Sequence, residues 1–202
     1  MNNEQNKSLH NIKYNMSYTA CDLVSSETIK VAQLFLEERD WKQVSKIAFE
    51  RNLLQYRTEN ALKRTLSEII SRLKILPLEA IDILVNGTPF EQNQILWFAL
   101  CLRYQFIYDF AIEVIIEKYN LMQPEITQLD YDAFFNSKLS WHDELDKLTD
   151  STKNKLRQVL FKMLREAEVI DANNCILTAF VSPRVVEIIN KYDSKYLSIF
   201  PN

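Results

Sequence analysis

The chain contains one glycine in 202 residues, where average usage would give roughly fourteen. Glycine populates left-handed backbone conformations without steric cost, so tight turns, short hairpins and phosphate-binding loops depend on it. A chain with a single glycine cannot form a Gly-rich nucleotide-binding motif. It has the composition of a protein built from long helices joined by short polar connections. We therefore predict an all-α fold.

Apolar residues recur with the 3.6-residue helical period along most of the chain. The first predicted helix runs from Ser26, which can cap its start, to Glu38. A shorter helix follows from Trp41 to about Arg51, and a third runs from about Thr58 to Leu76, before Pro77. Residues 77–85 predict a brief helix. A final one is expected from Pro183 to about Tyr192.

The clearest break is Asn86-Gly87-Thr88-Pro89, a composition typical of turns. We predict an N-terminal helical subdomain over residues 1–88 and a C-terminal one over residues 89–202. In the first, a short helix, a connection and a longer basic helix resemble a helix-turn-helix, although the connection is longer than usual. In the second, residues 169–180 predict a small β-hairpin that turns at Asn173-Asn174, and its flanking helices suggest a winged-helix-like end.

The most unusual segment is basic within an acidic chain. From Ser151 to Arg165 there are five basic residues and no acidic one, although the chain carries a net charge of −3. As a helix capped by Asp150 or Ser151, it would bury Leu156, Val159, Leu160, Met163, Leu164 and Ala167. Its opposite side would present Asn154, Lys155, Gln158, Phe161, Lys162 and Arg165. These residue types contact phosphates and base edges. An ordinary solvated helix surface is the alternative, but such surfaces usually alternate acids with bases.

The third predicted helix is the second candidate for nucleic-acid contact. Arg57, Arg64 and Arg72 are expected opposite its apolar stripe, with Lys63 and Lys74 flanking the stripe. Together with the polar residues of the basic segment, they make the predicted double-stranded DNA site: Arg57, Lys63, Arg64, Arg72, Lys74, Asn154, Lys155, Gln158, Lys162 and Arg165. Basic surface on helical hairpins is common, so this pattern alone leaves both interpretations open.

The sequence predicts no catalytic site, metal site or cofactor. Its two histidines, His10 and His142, lie far apart. Residues 141–146 concentrate the only histidine-carboxylate group, but consecutive side chains on a helix do not face one point. We expect this group to be a capped, solvent-facing helix start.

Membrane insertion is not expected. The long apolar stretch Ile95–Ile116 contains Arg103, Asp109 and Glu113, which would be costly inside a bilayer. We predict two buried helices or one long central helix there. No signal peptide is visible at Met1–Ser8, and the three cysteines form no disulfide framework, so a reducing, cytoplasmic location is expected.

Short blocks along the chain match a known family. The most specific are Gln55–Arg64 and Thr149–Ala167. The others are Tyr14–Ser17, Ile69–Leu73, Trp97 with Arg103-Tyr104, and Asp132–Phe135. Together they resemble the BrxA family of BREX phage-resistance systems, from about Tyr14 to Ile189. One residue departs from the family pattern: Glu168 stands where a glycine would be expected to close the helix.

The resemblance implies a small, mostly helical bacterial protein that binds double-stranded DNA and has no known catalytic activity. It also implies action beside the methyltransferase, phosphatase-like and ATPase components of the system. Two functions remain open. One is a DNA-binding accessory subunit. The other is a protein-interaction scaffold that uses residues 109–150, where ten acidic residues stand against three basic ones, and exposed aromatics such as Phe161 to hold a partner. The oligomeric state is not determined by the sequence.

Overall fold

The structure is a computed structural model that describes residues 13–202, so the N-terminal residues, His10 among them, lie outside it. The helices are α1 (Ser25–Glu38), α2 (Trp41–Glu50), α3 (Glu59–Leu73), α4 (Leu78–Asn86), α5 (Pro89–Arg103), α6 (Gln105–Phe110), α7 (Glu117–Asn120), α8 (Gln128–Leu139), α9 (Asp143–Asp146), α10 (Asp150–Glu166) and α11 (Pro183–Asp193). A π-helical segment, Ala111–Ile116, joins α6 to α7, and 3-10 turns lie at Ser17–Ala20 and Ser194–Ile199. No β-strand occurs in this part of the chain, and the predicted all-α fold is confirmed.

Side-chain caps explain where most of the long helices begin. The Thr58 and Thr149 hydroxyls accept hydrogen bonds from backbone N–H groups in the first turns of α3 and α10. Thr88 and Glu91 form a reciprocal capping box at the start of α5. The predicted caps of two helices were wrong. Helix α10 is capped by Thr149, not by Asp150 or Ser151, and α1 follows a left-handed Val24 without a side-chain cap.

The predicted hairpin at residues 169–180 is present only as an isolated antiparallel bridge between Ile170 and Ile176. Glu168, at φ 57°, precedes it in the left-handed conformation that glycine favours. The N–H groups of Glu168 and Val169 donate to carbonyls in the last turns of α10, in the pattern of a Schellman motif. The turn therefore keeps the geometry of a glycine-closed helix although the residue is glutamate.

Helices α5 and α6 lie at the centre of the molecule. They meet at Tyr104, where α5 and the helical stretch Gln105–Asn120 are bent by 113° relative to each other. The prediction of two buried helices is confirmed, since nearly all apolar side chains from Ile95 to Phe106 are buried. Within residues 13–202 no single helix has the length and apolarity of a membrane span; only this bent pair, taken together, has them.

The buried apolar side chains of both predicted subdomains belong to one cluster that extends from Tyr14 to Phe200. Helix α4 packs against both α1 and α5, across the proposed boundary at residue 88. The division into two subdomains, with helix-turn-helix-like and winged-helix-like elements, stays a prediction.

Gly87 is required by a close approach and not by its backbone angles. Its φ of −82° is accessible to any residue. A Cβ at this position would lie 2.5 Å from the carbonyl oxygen of Ile83 and 2.8 Å from the Ile83 Cγ2. The α4–α5 junction therefore excludes even the smallest side chain unless the backbone moves.

We expect Gly87→Ala to destabilise the protein by about 1–3 kcal/mol, the usual cost of overpacking a tight site. Urea unfolding followed by circular dichroism would measure this loss. Ser45→Ala, at an exposed position of α2, should change the free energy of unfolding little. Equal stability of the two variants would show that the junction relaxes freely.

Candidate nucleic-acid interface

Helix α10 buries the predicted apolar stripe, with Leu156, Leu160, Met163 and Leu164 fully inaccessible. One predicted outward residue is wrong: Phe161 is buried, at 6% exposure. Helix α8, which the sequence analysis did not predict, covers this side of α10. Asp132 of α8 accepts two hydrogen bonds from Arg157, at 2.7 Å each. The polar face of α10 is therefore narrower than its periodicity indicates.

The remaining polar face has two sides. Lys155, Lys162 and Glu166 lie within about 40° of one another at 100° per residue. Asn154, Gln158 and Arg165 form the other side. Gln158 and Arg165 line a cavity of about 230 Å³ together with Gln128, Arg157, Phe161 and Asn174. Among residues 13–202, no acidic side chain lines this cavity.

Two of the predicted DNA-contacting side chains here already have partners. Arg165 donates to the Asn174 side-chain oxygen at 2.7 Å, and Asn154 accepts from Arg157 at 3.0 Å. Asn174 is an uncharged amide, so the positive charge of Arg165 remains uncompensated. The amide N–H groups of Asn154 also remain able to donate.

Lys162 forms an ion pair with Asp22, and its ammonium also lies 3.7 Å from Glu166. The hydrogen bond to Asp22 is the main cause that raises the pKa of Lys162 above its ordinary value. Any phosphate that contacts Lys162 must compete with Asp22. This acidic partner stands 140 residues away in sequence, and the charge pattern of α10 alone could not reveal it.

Asp22 belongs to a short segment, residues 21–24, that lies between α3 and α10. On one side, the Arg72 guanidinium donates to the carbonyl oxygens of Asp22, at 2.8 Å, and Cys21, at 3.1 Å. On the other side, the backbone N–H of Leu23 donates to Glu166 at 3.0 Å. The segment thus holds the two predicted basic helices in a fixed relation.

Arg72 itself is not available to DNA, and its prediction as a contact residue was wrong. It is 3% exposed, and its Nε donates to Glu68 at 3.0 Å within the core. The Tyr104 hydroxyl donates to the same Glu68 carboxylate. Helical periodicity placed Arg72 on the polar side of α3, but the segment at residues 21–24 covers that position.

Arg64 lies near the same segment. Burial raises the pKa of the Cys21 thiol to about 11, while the positive charges of Arg72 and, more weakly, Arg64 oppose that increase. Arg57 and Arg64 are both exposed. Arg64 belongs to α3, but Arg57 precedes the extended N-cap Thr58 and lies outside the helix, so its predicted position opposite the apolar stripe was wrong. Residues 21–24 therefore lie between Arg64 of α3 and Lys162 of α10.

Lys63 and Lys74 belong to a different surface. With α2, helix α3 forms a groove of about 780 Å³ that they line together with Lys42 and Lys46. The remaining lining residues are Trp41, Ser45, Phe49, Leu66, Ser67, Ile70 and Ser71, and none of them is acidic. We call this the α2–α3 groove.

Most of the predicted contact residues carry uncompensated charge. Within residues 13–202, no ion pair involves any of the following: Arg57, Lys63, Arg64, Lys74, Lys155 and Arg165. All six are exposed. Their charges are therefore available to an anionic partner.

The histidine-carboxylate group at residues 141–146 is arranged for packing. His142 is 8% exposed and stacks on Tyr14 with ring centroids 3.8 Å apart, so the expected solvent-facing position was wrong for this residue. Its Nδ1 lies 3.1 Å from Glu144, which also accepts the backbone N–H of Tyr14 at 2.6 Å. In the described part of the chain, no three His, Cys, Asp or Glu side chains converge as metal ligands would.

Comparison with known proteins now adds to this geometry. A sequence profile of the BrxA family matches residues 12–193. The chain belongs to the BrxA family. It is 29% identical over 149 residues to the BREX protein BrxA of Escherichia coli O9:H4 (strain HS), a match that covers 74% of this chain and 70% of that protein. Over 125 residues it is 28% identical to the BREX protein BrxA of Bacillus cereus (strain H3081.97), with 62% of each chain covered.

The fold of this BrxA-family chain is also found in a crystal structure of an uncharacterized protein from Magnetospirillum magneticum. The two superpose with a TM-score of 0.82 over 95% of this chain and 100% of the other. Because only 19% of the residues are identical, the similarity concerns the fold alone.

We expect Arg72→Leu to destabilise the protein by about 3–5 kcal/mol, because it leaves the Glu68 carboxylate buried without its partner. Arg64→Leu, a matched change at an exposed position of the same helix, should have an effect within about 0.5 kcal/mol. Urea unfolding of both variants would test this difference. Similar stability of the two variants would show that the buried Arg72–Glu68 pair contributes little to the free energy of unfolding.

Proposed function

We propose that this protein is a non-enzymatic, double-stranded DNA-binding accessory component of a BREX phage-defence system, where it supports host methylation, phage restriction or both. Membership of the BrxA family supports the assignment to the system. The observation that carries the DNA-binding proposal is the exposed, uncompensated positive charge on α3 and α10, two helices held together by residues 21–24.

The proposed duplex surface consists of Arg64 of α3, Arg57 just before that helix, and Lys155 and Arg165 of α10. Each cation placed on a phosphate releases condensed counterions, and this release supplies most sequence-independent affinity. Arg72 binds residues 21–24 rigidly to α3, so the surface is preformed and loses little conformational entropy on binding. Lys162 joins this surface only when a phosphate displaces Asp22.

Sequence preference, where it exists, would come from Asn154, Gln158 and Arg165. Amide and guanidinium groups can form paired hydrogen bonds to adenine and guanine in the major groove. These residues surround the open cavity beside α10. Lys63 and Lys74 line the α2–α3 groove instead, and the proposed duplex surface does not require them.

The second candidate function is a protein-interaction scaffold for the methyltransferase, phosphatase-like or ATPase components. It is favoured by one observation, the cluster of exposed apolar side chains at Leu121, Met122 and Leu129 within the acidic half of the chain. A scaffold would bind these components without direct DNA contact. In either role we expect the protein to act in the cytoplasm.

Charge reversal on either helix should weaken duplex binding without unfolding the protein. We expect Lys155→Glu with Arg165→Glu, and separately Arg57→Glu with Arg64→Glu, to lower affinity by about tenfold or more. The slope of log affinity against log salt should become shallower by about two, because each lost phosphate contact removes about 0.9. Fluorescence anisotropy with a short duplex across salt concentration would measure both.

The matched control reverses two exposed charges on α11, Arg184→Glu with Lys191→Glu. All three double variants must retain the circular dichroism spectrum of the parent. If the affinity and the salt slope stay at the parent values in both the Lys155/Arg165 and the Arg57/Arg64 variants, the scaffold function replaces DNA binding.

Removing the acidic partner of Lys162 should strengthen duplex binding. Asp22→Asn eliminates one negative charge and frees the ammonium, while its backbone carbonyl still accepts from Arg72. We expect a gain of several-fold at low salt that shrinks as salt screens the charges. Asp82→Asn, a similar change near α11, should give no gain. An unchanged or reduced affinity in Asp22→Asn would place Lys162 outside the DNA surface.

A further inference from the structure

The α2–α3 groove combines an apolar floor with a basic rim. Leu66 and Ile70 are buried at its base, and Phe49 is 37% exposed at its edge. Four lysines surround this floor, and none of them has an ion pair within residues 13–202. A duplex would satisfy the lysines but leave the accessible parts of Phe49 and Trp41 uncovered. A polypeptide with apolar side chains between acidic ones would satisfy both.

The same molecule presents a surface of that kind between α7 and α8. Met122 is 88% exposed, Leu129 78% and Leu121 60%. Met122 has a φ of 57°. Three large apolar side chains within residues 121–129 are therefore exposed, a feature typical of interaction sites.

Two acidic side chains beside these residues have no ionic partner. Glu117 and Glu125 are exposed and form no ion pair within residues 13–202. Their acidic neighbours are already occupied: Glu113 accepts from Lys138 and Asp130 accepts from Lys118. We call the group Glu117, Leu121, Met122, Glu125 and Leu129 the acidic knob.

We propose that the α2–α3 groove of one molecule binds the acidic knob of a second copy of this chain. The apolar residues of the knob would cover the accessible parts of Phe49 and Trp41, while Glu117 and Glu125 would pair with lysines of the rim. Charge complementarity selects this occupant, since uncompensated bases surround one apolar surface and uncompensated acids surround the other. The contact joins two different surfaces, so it is heterologous. In a dimer, the knob of one molecule and the groove of the other remain free to bind further copies, unless the assembly closes into a ring.

The proposed contact is independent of the proposed DNA surface, which uses other residues. It would also explain why, within residues 13–202, the groove lysines and the two glutamates of the knob form no ion pair inside one molecule. Because the attraction is partly electrostatic, self-association should weaken as salt rises, and the apolar floor should preserve a part of it.

Sedimentation velocity of the full chain, without DNA, tests the proposal. We expect concentration-dependent association that weakens with salt. Lys46→Glu with Lys63→Glu in the groove, or Glu117→Lys with Glu125→Lys in the knob, should each weaken it by about tenfold, equal to about 1.4 kcal/mol. Leu121→Ser with Met122→Ser should weaken it similarly while leaving the charges unchanged.

Sedimentation velocity of a mixture of the groove variant and the knob variant is the decisive experiment. The groove variant keeps a native knob and the knob variant keeps a native groove, so the mixture should associate more strongly than either variant does alone. Lys155→Glu, outside both surfaces, should leave self-association at the parent level. The proposal is overturned if the parent stays monomeric at low salt, if the mixture fails to associate, or if the groove reversals reduce only duplex binding.

Discussion

The buried guanidinium of Arg72 holds the structure together at the point where its two basic helices meet. It pairs with Glu68 and donates to the backbone of residues 21 and 22. Removing two charges from water costs several kcal/mol, and only good geometry and full hydrogen bonding compensate for it. Here the network obtains both, since Tyr104 also donates to Glu68. The result is a fixed strap of backbone between α3 and α10, on which the proposed DNA surface depends.

The sequence predicted most of the long helices, but it predicted neither α8 nor which segments pack against each helix. The bounds of α1, α2 and α4, and the buried stripe of α10, followed from apolar periodicity and agree with the structure within about two residues. Periodicity reports which side of a helix is apolar; it does not report which distant segment packs there. Arg72 and Phe161 were placed on polar sides, yet residues 21–24 cover one and α8 covers the other. Asp22 was missed as the partner of Lys162 for the same reason.

The net charge of the chain conceals how its charges are sorted. Several acidic side chains of residues 109–150 form ion pairs within the molecule, as in Lys118–Asp130, Lys138–Glu113 and Arg157–Asp132. Within residues 13–202, the exposed basic side chains of α2 and α3 form no ion pair. A protein of net charge −3 can therefore keep local regions of positive potential that attract anionic partners. The negative net charge limits nonspecific attraction of anionic partners, while the local distribution of unpaired basic side chains determines where such a partner binds.

The scarcity of glycine also affects the unfolded state. Seven non-glycine residues in the described part of the chain have positive φ, among them Val24, Arg39 and Glu168. Each side chain raises the energy of the folded backbone at its turn. Each also restricts the conformations open to the unfolded chain, which therefore gains less entropy when the protein unfolds. The two effects oppose one another, so the chain keeps its left-handed turns without the flexible residue that usually makes them, and its denatured ensemble is stiffer than that of an average protein.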